Sequence, residues 1–268
     1  GANVVTGSIV GSVIAAGLIG WLGARARDRN SVIGVMMPFG LGLGILFLAH
    51  RVPFPPDRGD RIRSHHLLKA LAKLGPVHVG CFGEGDAEAE RALTALAASC
   101  RVAARSKPLP LAGMEAVLAG KPVSLTAFHS SKLARWVRDT IAQQEIAAIV
   151  VFSGQMGQYV PDDFAGPVVI DLCDVDSAKF EAYAAAGQRK WLHAREARLL
   201  AREEERLGRR ADTTILISEA EAALYRSRLT ARGKVDVRVI GNGIDAAFFD
   251  PALAARAEDE VAGARPRC

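Results

Sequence analysis

The sequence is poor in the residues that would make it a secreted disulfide framework or a zinc module. Its four cysteines are Cys81, Cys100, Cys173 and Cys268, and no two are spaced as CxxC. That pattern excludes a ribbon or finger and fits buried thiols in a reducing compartment. Aromatic residues make up 6% of the chain, and no stripe of lysine interleaved with them occurs. With a net charge of only +5, a nucleic-acid interface is not expected. No serine sits on a GxSxG elbow, so a serine-histidine-aspartate relay is not expected either. No sequence repeat of fixed period is found. The chain does not begin with Met, which reads as processing, trimming or a fragment.

Charge is also missing from one whole region. Residues 1–24 carry none, and RARDR at 25–29 is followed by a second uncharged run over 30–49. The first run is long enough to cross a bilayer, and its Gly7, Ser8, Gly11, Ser12 and Gly17 would allow close helix packing. No basic stretch precedes it, which argues against a signal peptide. The positive-inside rule favours one crossing, with everything after it cytoplasmic and anchored to the inner membrane.

Beyond residue 44 the chain alternates short apolar runs with amphipathic ones. Strands are predicted at 45–49, 77–82, 100–104, 146–152, 166–172, 213–218 and 235–243. Helices are predicted at 60–74, 86–98, 111–119, 130–143, 176–210 with a break near Gly187, and 219–228. Nearly every strand is apolar throughout, as expected of a parallel sheet covered on both faces. The fold class is therefore α/β, a doubly wound and mostly parallel sheet. The tail from Pro251 is rich in Ala and charge and too short for a second domain.

In such sheets ligands lie beyond the carboxyl ends of the strands. Four segments end there: 50–63, 153–159, 171–179 and 241–245. His50 directly follows the first strand and is a candidate ligand contact. Gly59 leaves room for close approach to the main chain, Asp60 can cap the next helix, and Arg61 and Arg63 lie in its first turn. Arginines there oppose the helix dipole, so an anion bound at the helix start would explain them, as would ordinary exposure. Asp171, Asp174 and Asp176 form the densest acid cluster. They can be read as a base toward an acceptor hydroxyl, as strand-end and capping residues, or as a metal site. The spacing lacks a full ligand set, so no metal is expected.

Two resemblances attach to these residues. Residues 1–44 are similar to part of the membrane permease of zinc- and manganese-type ABC transporters, carried by VVTGSIVGSVIAAGLIGWLGARARDRNSVIGV. The stretches RVPFPPDRGDRIRSHHLLKALAKLGPVHVGCF, DLCDVDSAKFEAYA and VIGNGIDAAFFDP resemble a bacterial sugar transferase family associated with PEP-CTERM/exosortase and exopolysaccharide systems. That likeness covers about 45–252. It implies one half of a retaining GT-B glycosyltransferase: a Rossmann-like acceptor domain over 45–245, with 246–268 the truncated start of the donor half.

The resemblance further implies that Gly59 and Asp60 line the cleft near the donor diphosphate, with Arg61 and Arg63 as phosphate or acceptor contacts. It places Asp171, Asp174 and Asp176 after a central strand facing the cleft, and Asn242, Gly243 and Asp245 match the hinge motif; Asp171 and Asp174, with His50 from its place after the first strand, are the catalytic candidates. It implies a nucleotide sugar as donor, no tightly bound cofactor, a glycan or lipid-phosphate acceptor, and membrane contact through 1–24. Without the donor half, little or no activity is expected from this chain alone. The competing expectations are a permease fragment and a non-catalytic scaffold.

Overall fold

The computed structural model describes residues 43–105, 108–187, 189–230 and 235–243. The permease-like segment (but for its last two residues), the predicted membrane crossing, Asp245 and the tail from 246 lie outside them. Among the described residues no helix is long and apolar enough to cross a membrane.

Seven parallel strands form one sheet in the order β3-β2-β1-β4-β5-β6-β7. They are β1 (Gly44–Ala49), β2 (Val77–Gly83), β3 (Ser99–Ala104), β4 (Ile146–Phe152), β5 (Val168–Cys173), β6 (Thr213–Leu216) and β7 (Val237–Val239). The helices are α1 (Gly59–Leu71), α2 (Ala87–Leu96), α3 (Leu109–Leu118), α4 (Val123–Ala127), α5 (Ser131–Gln143), α6 (Asp176–Ala185), α7 (Lys190–Arg210) and α8 (Glu219–Arg228). The central strand β1 is buried at every residue, which is why its sequence is apolar without alternation. The chain winds outward from β1 to β3, returns to β4, and winds out again to β7. This is the Rossmann-like doubly wound arrangement that the alternating pattern predicts.

Two apolar layers sandwich the sheet. One contains Ile45, Phe47, Leu68, Val79, Leu93 and Val150, beneath α1 and α2. The other contains Leu46, Leu133, Ile149, Ile170, Leu207 and Tyr225, beneath α5, α7 and α8. Alternate residues of β1 thus enter opposite layers, as strand geometry requires.

The expected break in the long helical stretch is present: it is two helices, and Gly187 between them takes φ +92°. The structure corrects several other sequence expectations. The last strand is only three residues long. The 153–159 loop is a short 3₁₀ helix, Gly154–Tyr159. Helix α1 buries Ser64, Leu68 and Leu71, while Ile62 is exposed. Ser64 fits inside because its hydroxyl donates to the Asp60 carbonyl at 2.9 Å.

Neither predicted aspartate cap holds. The α1 N-cap is Arg58 in extended conformation, with no capping side chain, and Asp60 lies inside the first turn. The α6 N-cap is Val175, again without a side-chain bond of its own. Remote glutamates do that work instead. Glu221 accepts from the Val175 N–H at 2.8 Å, and Glu204 accepts from the Ser177 N–H at 2.8 Å and the Ser177 hydroxyl at 2.5 Å. Glu196 likewise accepts from the N–H groups of Val123 and Ser124 at the start of α4. A carboxylate at a helix start satisfies orphan donors and favours the dipole, whichever element it comes from.

Candidate functional site

All seven strands point the same way, so the loops after β1, β4, β5 and β7 share one edge. Two of those strand ends carry strained, non-glycine backbone. Ser153, after β4, has φ 78°, and Cys173, ending β5, has φ 65°. Such conformations persist where surrounding contacts over-determine them. Here the Ser153 N–H donates to the Asp171 carbonyl at 2.8 Å, and the Cys173 N–H donates to Asp171 Oδ1 at 3.1 Å.

Asp171 is the centre of this edge. Its side chain is 4% exposed and that of Arg63 is 10% exposed. Arg63 donates from Nε to Asp171 Oδ2 at 2.8 Å, and from Nη1 to Asn242 Oδ1 at 3.0 Å. One guanidinium therefore ties α1, β5 and the segment after β7 together. Burial pushes the Asp171 carboxyl above its ordinary range, while the Arg63 charge and the bonds from Cys173 oppose that shift. Arg63 is held inside the protein by these two partners.

His50 has a different setting. Its ring stacks on Phe152 with centroids 5.7 Å apart and meets the edge of Phe128 at 6.0 Å. Nε2 lies 3.3 Å from Asp60 Oδ2, and Nδ1 has no hydrogen-bond partner. Burial lowers its pKa; Asp60 opposes this and Arg51 adds to it. A neutral ring with Nε2–H directed at Asp60 leaves a lone pair on Nδ1. Asp60 also stands 3.7 Å from Arg51 Nε, so it serves the ring and the arginine rather than the helix start.

A small cavity of about 110 Å³ adjoins His50, lined also by Arg51, Arg61, Glu84, Glu90, Arg105 and Phe128. Arg105 lies over the Phe128 ring at 5.5 Å. Arg61 pairs with Asp57 at 3.1 Å, and its Nε has no partner. Sequence reasoning missed Phe128, Phe152 and Arg105, because residues on three separate parts of the chain, one of them strand β4, cannot be assigned to His50 by spacing.

A larger cavity of about 600 Å³ lies between α1 and the sheet face of β4, β5 and β6. Ile62, Leu67, Ala70, Val150, Val169 and Ile215 form its apolar wall. Gly59, Arg63, Asn242 and Gly243 lie at its polar end. Gly59 is exposed, and a β-carbon there would meet nothing within 4 Å. The chain itself therefore does not require glycine at that position.

The remaining candidates are less connected. Asp174 is exposed. Asp176 accepts from Gln155 Nε2 at 3.3 Å, and burial raises its pKa. Together they border a narrow crevice with Glu203 and Glu204 on α7. Among the described residues, no group of three or more His, Cys, Asp or Glu side chains is arranged to hold a metal ion.

The fold is that of the Rossmann-like halves of GT-B glycosyltransferases. A similar solved structure is the sucrose-phosphate synthase from Thermosynechococcus elongatus. It aligns at TM-score 0.50 and 18% identity, over 81% of this chain and 52% of that one. HepE from Anabaena, solved with UDP and glucose, aligns at TM-score 0.49 and 16% identity over 82% of this chain and 50% of that one. The chain thus spans about half the length of the structures it matches. No known protein family and no curated protein matches the sequence.

Proposed function

We propose that this chain is the acceptor-side domain of a glycosyltransferase that moves a sugar from a nucleotide sugar to a hydroxyl of a glycan or lipid-linked acceptor. The observation that carries the reading is the meeting of His50, Asp60, Arg63, Asp171 and Asn242 at one edge of a GT-B-like sheet. The sequence motifs that resemble sugar transferases supply Asp60, Arg63, Asp171 and Asn242, His50 immediately precedes the first of them, and the fold is shared with a sucrose-phosphate synthase.

In this reading His50 is the group that takes the acceptor proton. Its neutral ring keeps the lone pair on a buried Nδ1, which the acceptor must uncover on binding, and Asp60 stabilises the imidazolium formed on protonation. Asp171 is paired with a buried arginine and acts by holding that arginine in place. Asp174, exposed at the strand end, remains a candidate contact to the acceptor. Arg61, which lines the small cavity, is the candidate for an anionic group. Gly59, Gly243 and Asn242 border the cleft on the donor side. The chain spans about half the length of the structure it matches, and in this reading the domain binds the acceptor and turns over little or nothing by itself. Its setting is the cytoplasmic face of the inner membrane.

Isothermal titration of the chain with oligosaccharide and lipid-phosphate acceptors tests the reading. Binding that weakens about tenfold in His50→Ala is expected from loss of a hydrogen bond and ring contacts. Absence of binding to every acceptor and to UDP-sugars would favour a scaffold role. Turnover of a radiolabelled nucleotide sugar by this chain alone would refute its assignment as one half of the enzyme.

A further inference from the structure

Helix α3 is built inside out. Its inward positions, Ala112 and Ala116, are one turn apart and both fully buried. Its outward positions carry the large apolar side chains: Leu111, Met114, Val117 and Leu118 are 52%, 58%, 51% and 83% exposed. A surface helix ordinarily buries its large apolar residues and shows its polar ones. Small residues inside let α3 sit close to the body of the domain, and the large ones stay exposed among the described residues. Soluble proteins rarely keep such a stripe without something to cover it.

The helix is fixed in this orientation. The Thr126 hydroxyl donates to the Ala112 carbonyl at 3.0 Å. Arg195 of α7 donates from Nη2 to the Ala116 carbonyl at 2.8 Å and from Nη1 to the Lys121 carbonyl at 3.2 Å. One turn before Arg195 on the same side of α7 stands Trp191, 70% exposed. The indole and the carboxyl end of α3 therefore belong to one surface.

We propose that this surface, the outer face of α3 with Trp191, docks the domain on an anionic lipid membrane. The charges around it set the choice of partner. Lys121 follows the helix, Arg189 and Lys190 directly precede Trp191, and Arg195 and Arg198 follow on α7. Glu115 is the acid within α3, while Glu196 is buried and occupied at the start of α4. Aliphatic side chains enter the acyl boundary, an indole sits at headgroup depth, and cations meet anionic headgroups. Protein interfaces, by contrast, are depleted in lysine. The docking surface is separate from the strand-end cavities beside His50 and Arg63.

Cosedimentation of the full chain with vesicles tests this, using phosphatidylcholine alone and phosphatidylcholine with about one-third phosphatidylglycerol. Binding to the anionic vesicles is expected, weakening as salt rises from about 0.1 M to about 0.5 M. Met114→Glu with Leu118→Glu should lower that binding about tenfold or more. Lys121→Glu with Lys190→Glu should lower it on anionic vesicles only, and neither pair should shift the thermal unfolding midpoint. Hydrogen exchange on the unmodified chain supplies a check free of any folding defect: vesicles should protect 109–121. Equal binding by the Met114/Leu118 variant would place membrane contact elsewhere, such as residues 1–24, and overturn the proposal. So would a dimer in gel filtration that this variant dissociates, with no vesicle binding.

Discussion

Arg63 and Asp171 lie 108 residues apart in sequence and 2.8 Å apart in the structure, with the arginine Nε donating to a carboxylate that is almost fully buried. The same guanidinium reaches Asn242, 179 residues away. The pair therefore fixes the relation between the first turn of α1, the end of β5 and the chain leaving β7.

Removing one partner of this pair should cost more than removing both. Arg63→Gln leaves a buried carboxylate without its charge partner, a loss of about 3–5 kcal/mol. Asp171→Asn in the same chain should recover part of that, giving a coupling of about 1–3 kcal/mol in a double-mutant cycle. Urea unfolding of the four proteins measures it. Additive losses would show that the two side chains do not act together.

Glu204 makes stability depend on pH with a definite sign. Burial raises its pKa from 4.5 to about 7, against the opposing bonds from Ser177. Between those values the folded state holds a proton that the unfolded state has released. Stability from this group is therefore full below about 4.5, falls as pH rises, and levels off above about 7. The difference is on the order of 3 kcal/mol. Glu204→Gln keeps a carbonyl for the Ser177 N–H and should flatten this part of the stability curve. An unchanged slope in the variant would assign it to other groups.

Gly208 in α7 is required by close packing. A β-carbon there would lie 2.2 Å from the Tyr225 hydroxyl oxygen. That hydroxyl donates to the Glu204 carbonyl at 2.8 Å, so the ring cannot swing away without losing a buried hydrogen bond. Gly208→Ala should lower unfolding free energy by about 1–3 kcal/mol despite the better helix propensity of alanine. Calorimetry would detect the loss, and a stabilised variant would contradict the packing argument.

Glu196 should matter more than an ordinary helix glutamate. It is 2% exposed and accepts from the N–H groups of Val123 and Ser124 and the Ser124 hydroxyl. Glu196→Ala strands those donors at a cost of about 1–3 kcal/mol. Amide exchange at 123 and 124 should accelerate relative to the core strands. If it does not, the α4 start has another source of protection.

The sequence alone determined the architecture, because a parallel strand covered on both faces needs an unbroken apolar run. Such runs at 45–49 and 146–152 belong to neighbouring central strands, β1 and β4. The break at Gly187 was legible too, since glycine tolerates φ +92° where other residues strain. His50 was legible as the residue directly after a central strand. Only the tertiary structure decided what the polar residues do. Asp60 and Asp176 have good capping chemistry and cap nothing, because the helix boundary fell elsewhere and their oxygens meet His50 and Gln155. Arg63, a candidate ligand contact at the larger cavity, is also tied to β5, while Glu196, Glu204 and Glu221 serve helix starts on other elements. The apolar pattern is periodic along the chain, so spacing reveals it. A hydrogen bond or ion pair needs only that two groups meet in space, which spacing along the chain does not record.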